Sequence, residues 1–199
     1  MHRSTFSVST LKSTKPLQII YSDVWEPSPI KSLDKKQYYV LFVDQFSKYM
    51  WLYTLSHKHE VSDIYQSLHT LLEKRFDDKI KTFYTDGGGE FQSLNTYLKT
   101  HGIEHVVSPP YTPQRVELVE RRHKHIIETA RTLLYQSSLP PYFWSFACHQ
   151  AVYLINKMTT PNLENKSPHE ILFKDEPKYD SIKVFGSLCY SWLKPYTKK

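Results

Sequence analysis

The chain has 199 residues, of which 40% are hydrophobic, 23% charged and 15% aromatic, and it carries a formal net charge of +6. This balance excludes a mostly disordered chain and leaves room for one domain with a sizeable core, or a domain with an extension. The positive charge suits a polyanion such as nucleic acid without requiring one.

Cys148 and Cys189 are too few and too far apart for a disulfide framework or a CxxC zinc knuckle, so a reducing intracellular setting is expected. No run approaches about 18 apolar residues, and MHRSTFSVSTLKSTK lacks the apolar centre of a signal peptide, so a soluble protein is expected.

Residues 1–16 are rich in Ser, Thr and Lys and read as a flexible lead-in. Residues 17–25 alternate as a strand, with Leu17, Ile19, Tyr21 and Asp23 on one side and Asp23 near its end. YYVLFVD is an unbroken apolar run, as in a strand buried on both faces, and QFSK turns it into YMWLYTL. The three strands predict an antiparallel meander, and Asp44 at the hairpin turn reads as structural.

Between His57 and Phe76 the apolar residues follow helical spacing. A strand over 80–85, a short helix over 91–100 and a strand over 103–107 predict a parallel crossover. SPPYTPQ, with three prolines, must be a loop, and the next helix is expected to begin only after Pro113. Its apolar side runs through Val116, Val119, His123, Ile126, Ile127, Ala130, Leu133 and Leu134. Residues 142–157 predict another apolar helix, PNLENKSPHEILF a loop and short helix, and SIKVFGSLCYSWL one or two strands. The domains are then a core over 17–137 and an extension over 138–199.

An acid at a strand end, a glycine triplet and a glutamate in a basic helix are what metal-dependent phosphoryl transfer needs. Asp86 and Glu120 form that pair, and Asp23 is the candidate third acid, because a pair of Mg²⁺ ions needs carboxylate oxygens converging from several elements. An arbitrary Asp or Glu is usually a surface charge; strand-end placement sets Asp23 and Asp86 apart. Gly87, Gly88 and Gly89 form either an ordinary tight turn or a close backbone approach to substrate. His123, His125, Cys148 and His149 lack zinc-finger spacing.

YSDVW, YYVLFVDQFSKYMWLYTL, FYTDGGGEF, GIEHVVSPPYTPQ, LVERRHKHIIETARTLL, FWSFACHQAVYLIN and KVFGSLCY resemble the catalytic core of integrases from copia-type LTR retrotransposons, over about residues 17–192. The resemblance implies a ribonuclease-H-like α/β fold: a five-stranded mixed sheet, three strands antiparallel and then two parallel, flanked by helices and followed by a helical C-terminal extension. It implies 3′-end processing and strand transfer of element DNA into target DNA, with two Mg²⁺ or Mn²⁺ ions on Asp23, Asp86 and Glu120. Tyr111, Gln114, Arg115, Arg121, Arg122 and Lys124 become DNA-contact candidates, against the plainer readings of turn packing and a solvated basic face. A homodimer or higher homo-oligomer, in the nucleus and in cytoplasmic virus-like particles, follows from the same resemblance. Relatives usually carry an upstream zinc module and a long tail, so the chain reads as a core excised from a longer protein.

Several positions depart from the family pattern. Gly87 stands where Asn is usual, and Glu26, Lys35, Glu117 and Lys174 stand where glycine is expected. Glu117, one turn before Glu120, adds negative charge near the acids, so a catalytically impaired core acting as a DNA-binding or multimerisation module is the alternative expectation.

Overall fold

The alternating segment that begins at Leu17 becomes β1 (Ile19–Trp25) in the computed structural model of the chain. The structure describes residues 12–76, 78–107 and 113–190, and of 113–117 the backbone alone. β2 (Tyr38–Asp44) runs antiparallel to β1, and β3 (Met50–Leu55) antiparallel to β2, so the expected meander forms. α1 (Val61–Arg75) leads to β4 (Thr82–Thr85), and the short α2 (Gly89–Gln92) and α3 (Asn95–Thr100) lead to β5 (Glu104–Val107). β4 is parallel to β1 and β5 to β4, giving the order β3-β2-β1-β4-β5. α4 (Pro113–Ser137), α5 (Trp144–Lys157) and α6 (Pro168–Phe173) follow.

Strand alternation divides the core in two. Ile20, Val24, Val40, Phe42 and Phe83 face one way, onto Tyr65, Leu68 and Leu72 of α1 and Leu98 of α3. Ile19, Tyr21, Tyr39, Leu41, Val43 and Tyr84 face the other, onto α4 and α5. β2 is buried from Tyr39 to Asp44, as its continuous apolar run predicts. Asp44 is structural: its carboxylate accepts from the Leu17 and Ser47 amides, each at 2.8 Å, and from the Ser47 hydroxyl at 2.6 Å. Burial raises its pKa despite these donors.

Two expectations change. α4 begins at Pro113 itself, because a proline in the first helical turn forfeits no hydrogen bond. The strands expected over SIKVFGSLCYSWL are absent from its described part; residues 181–190 run as turns and irregular chain. Val184 and Leu188 are each 81% exposed, so their apolar spacing meets no neighbouring strand among the described residues. No described helix is long and apolar enough to cross a membrane.

Candidate active site

The β1–β4 ladder pairs Ile19 with Thr82, Ile20 with Phe83 and Tyr21 with Tyr84. Continuing that register by two residues sets Asp23 opposite Asp86. Tyr21 and Tyr84, whose rings stack at 4.9 Å, belong to the core under α4 and α5, so period-two alternation points Asp23 to the same face. The Asp23 side chain is 26% exposed, and Asp86, the first residue beyond β4, is exposed. Both acids therefore stand at the carboxyl ends of adjacent parallel strands.

α4 packs on that face through Val119, Ile126 and Ala130, spaced at seven and four residues as a helical stripe requires. Each buried Val or Ile contributes about 1.5–3 kcal/mol. His123 occupies the same stripe, one turn beyond Val119. Its Nδ1 lies 2.8 Å from the Tyr39 hydroxyl, and its Nε2 lies 3.3 Å from Asp23 Oδ2. The second approach falls short of hydrogen-bond geometry and leaves Nε2 a buried polar atom without a partner. Burial first, then Cys148 and Asp23, raise the Tyr39 phenol well above its ordinary range. Tyr39 therefore stays a hydroxyl in its contact with His123 Nδ1. The other carboxylate oxygen of Asp23 accepts from the Val24 amide at 2.8 Å. Glu120 is exposed, three residues before His123 and so one turn along the helix that touches Asp23.

The Asp86 turn is built differently. The Gly87 amide donates to Thr85 Oγ1 at 3.2 Å and the Gly88 amide to Asp86 Oδ1 at 2.9 Å. Gly87 has φ +85°, and a Cβ there would stand 2.5 Å from Val107 Cγ1 on β5. A tight turn with close packing accounts for Gly87, whereas a Cβ at Gly89 would meet open space. His105 on β5 lies with Nε2 2.9 Å from Thr85 Oγ1 and Nδ1 2.7 Å from Asn95 Oδ1.

Of the DNA-contact candidates, Tyr111 lies outside the described residues, and Gln114 and Arg115 fall in the first turn of α4, where only the backbone is described. Arg121 and Lys124 are exposed, and Lys124 pairs with Glu128 across solvent at 3.9 Å, a contact worth little. Arg122 is partly buried; that burial, then Arg121, lowers its pKa. Among the described residues no three His, Cys, Asp or Glu side chains gather closely enough to hold a metal ion. The strands align the acids without closing them on one another. The donor chemistry still fits Mg²⁺ or Mn²⁺, which favour carboxylate oxygens such as those of Asp23, Asp86 and Glu120 and keep several waters.

The sequence places His123 on the apolar side of its helix and, with His125, Cys148 and His149, outside zinc-finger spacing, and it does not single out His105. The spacing of His123 three residues after Glu120 was the available signal; its contact with a tyrosine 84 residues away was not visible. Lys35 and Lys174 have φ of 62° and 58°, left-handed values that explain why glycine is expected at both. Glu26 has no positive φ.

Residues 13–113 match the family model described as integrase core domain. The chain is 51% identical over 193 residues, 97% of its length, to the retrovirus-related Pol polyprotein from transposon RE1 of Arabidopsis thaliana. It is 34% identical over 192 residues, 96% of its length, to that from transposon TNT 1-94 of Nicotiana tabacum. It spans only 13% and 14% of the lengths of those relatives. The HTLV-2 integrase catalytic core domain in complex with magnesium, in its trimeric form, superposes with TM-score 0.60 at 21% identity, covering 81% of this chain and 99% of that one.

Proposed function

We propose, starting from the fact that the chain belongs to the integrase core domain family, that it performs divalent-metal-dependent phosphoryl transfer on DNA. It would cleave near the 3′ ends of retrotransposon DNA and join those ends to target DNA. The observation that supports this reading is the parallel β1–β4 register, which runs from Ile19–Thr82 to Tyr21–Tyr84 and, continued by two residues, sets Asp23 opposite Asp86.

Asp23, Asp86 and Glu120 would hold Mg²⁺ or Mn²⁺, as two ions, which would favour a deprotonated nucleophile and offset charge on the leaving oxygen. The protein's own part is to orient the acids. The Val24 amide holds one oxygen of Asp23 and the His123 ring stands 3.3 Å from the other, while the Gly88 amide holds one oxygen of Asp86. With water as nucleophile the result is cleavage, and with the new 3′-hydroxyl it is joining. Arg121, Arg122 and Lys124, with Tyr111, Gln114 and Arg115 ahead of Glu120, would contact the DNA backbone, giving sequence-neutral binding that weakens steeply with salt. Handling two element ends calls for a homodimer or larger assembly.

The test is nicking and joining of a labelled branched DNA in Mn²⁺ by the chain and by Glu120→Gln. Activity abolished by that single change is expected; undiminished activity of Glu120→Gln would contradict the three-acid site. DNA binding without nicking or joining by the unaltered chain would instead support a DNA-binding or multimerisation module.

A further inference from the structure

We infer that β5 sets the position of Asp86, with His105 as a positioning residue that fixes the turn through Thr85 while Val107 closes on Gly87. The inference rests on the reading of Asp86 as a metal-holding acid.

Donors and acceptors in this region form a one-way series. Asn95 Oδ1 only accepts, so the His105 proton sits on Nδ1, 2.7 Å away. His105 Nε2 then presents a lone pair, and the Thr85 hydroxyl, 2.9 Å away, donates to it. With its proton so directed, Thr85 Oγ1 turns a lone pair to the Gly87 amide at 3.2 Å. Thr85 is 2% exposed, so the series is shielded where it meets the turn, and bonds in series polarise one another.

The β4–β5 ladder ends at the pair Thr85–Val107. Beyond it, the position of Asp86 depends on side-chain bonds: Thr85 holds the amide after the acid, and Asp86 Oδ1 holds the next one. Val107, opposite Thr85, limits the turn from the other side, since a Cβ on Gly87 would stand 2.5 Å from Val107 Cγ1. Packing alone does not call for histidine here. The ring lies 5.9 Å from Phe83, a contact a leucine could replace, and burial disfavours its charged form. What histidine adds is a rigid acceptor for the Thr85 hydroxyl whose far nitrogen is anchored to α3.

The test measures Mn²⁺ affinity by electron paramagnetic resonance, melting temperature, and kcat and KM for nicking, in the chain, His105→Leu, His105→Gln, Thr85→Val and Asp86→Asn. His105→Leu is expected to weaken Mn²⁺ binding about 10- to 100-fold, the usual effect of losing a group that orients a metal-binding residue. It should lower kcat at unchanged KM, with melting shifted by only a few degrees. His105→Gln, whose Oε1 can accept the Thr85 proton, should recover most of the affinity. Thr85→Val should match His105→Leu, with no further loss when the two are combined. Wild-type affinity and kcat in His105→Leu, or independent losses for the two changes, would overturn the inference and leave the proposed site standing. Absence of Mn²⁺ binding sensitive to Asp86→Asn in the unaltered chain would remove the reading of Asp86, and the inference with it. Should His105→Leu fail to fold, Asn95→Leu, at the far end of the series, carries the same test.

Discussion

Asp23 and Asp86 stand at the ends of neighbouring strands, yet they are held in opposite ways. Asp23 leaves a central strand beside the buried Tyr39 and His123, themselves covered by α4. Asp86 is exposed and hangs on a glycine turn tied down by amide and hydroxyl bonds at the β4–β5 edge. Core packing positions the first acid and a polar network the second. Disturbing the first should therefore cost stability together with function, while disturbing the second should cost function with little stability.

The largest separation is expected between Tyr39→Phe and Thr85→Val. Removing the Tyr39 hydroxyl leaves His123 Nδ1 buried without its partner, at a cost of about 1–3 kcal/mol. Thr85→Val frees His105 Nε2 and the Gly87 amide, but both belong to half-buried residues within reach of water, so it should cost less, about 1 kcal/mol. Urea unfolding of both variants checks this, and equal losses would erase the contrast.

The second comparison probes the steric side of the Asp86 turn. Gly87→Ala places a methyl group against Val107 in a left-handed conformation, and about 1–2 kcal/mol is expected from the backbone alone. Adding Val107→Ala should return the part due to the clash, so the double variant should be more stable than the sum of the single effects. Strict additivity would show that Val107 does not confine the turn.

The sequence exposed the elements whose signal is local. Alternation in YSDVW, the unbroken YYVLFVD and the helical stripe from Val61 to Leu72 each produced the expected element, because periodic burial is written in consecutive residues. The prolines marked the entry to α4 to within one residue. What stayed hidden depends on contacts across the fold. His123 meets Tyr39 only after α4 is laid over β2, and His105 meets Asn95 and Thr85 only once β5 is docked. The strands expected near the C-terminus failed for the converse reason. Apolar spacing around Val184 and Leu188 is a local signal, but a strand also needs a neighbour to pair with. Among the positions where the family pattern has glycine, Lys35 and Lys174 have positive φ, which supplies the physical reason.

The smallest expected effect lies at one of these positions, away from both acids. Lys174 caps α6 in a left-handed conformation, so Lys174→Gly should stabilise the chain by about 0.5–1 kcal/mol, the relief of αL strain less the added freedom of the unfolded chain. Nicking and Mn²⁺ affinity should not change. A destabilised variant in thermal melting would mean that the lysine side chain contributes more than its backbone costs.

The most direct test of the central claim, that β1 and β4 bring Asp23 and Asp86 to one metal site, is a double-mutant cycle on Mn²⁺ binding with Asp23→Asn, Asp86→Asn and both together. The account predicts that each single change removes most of the affinity and that the second adds little, because the two carboxylates serve the same site. Independent, additive losses, or affinity untouched by either change, would contradict it.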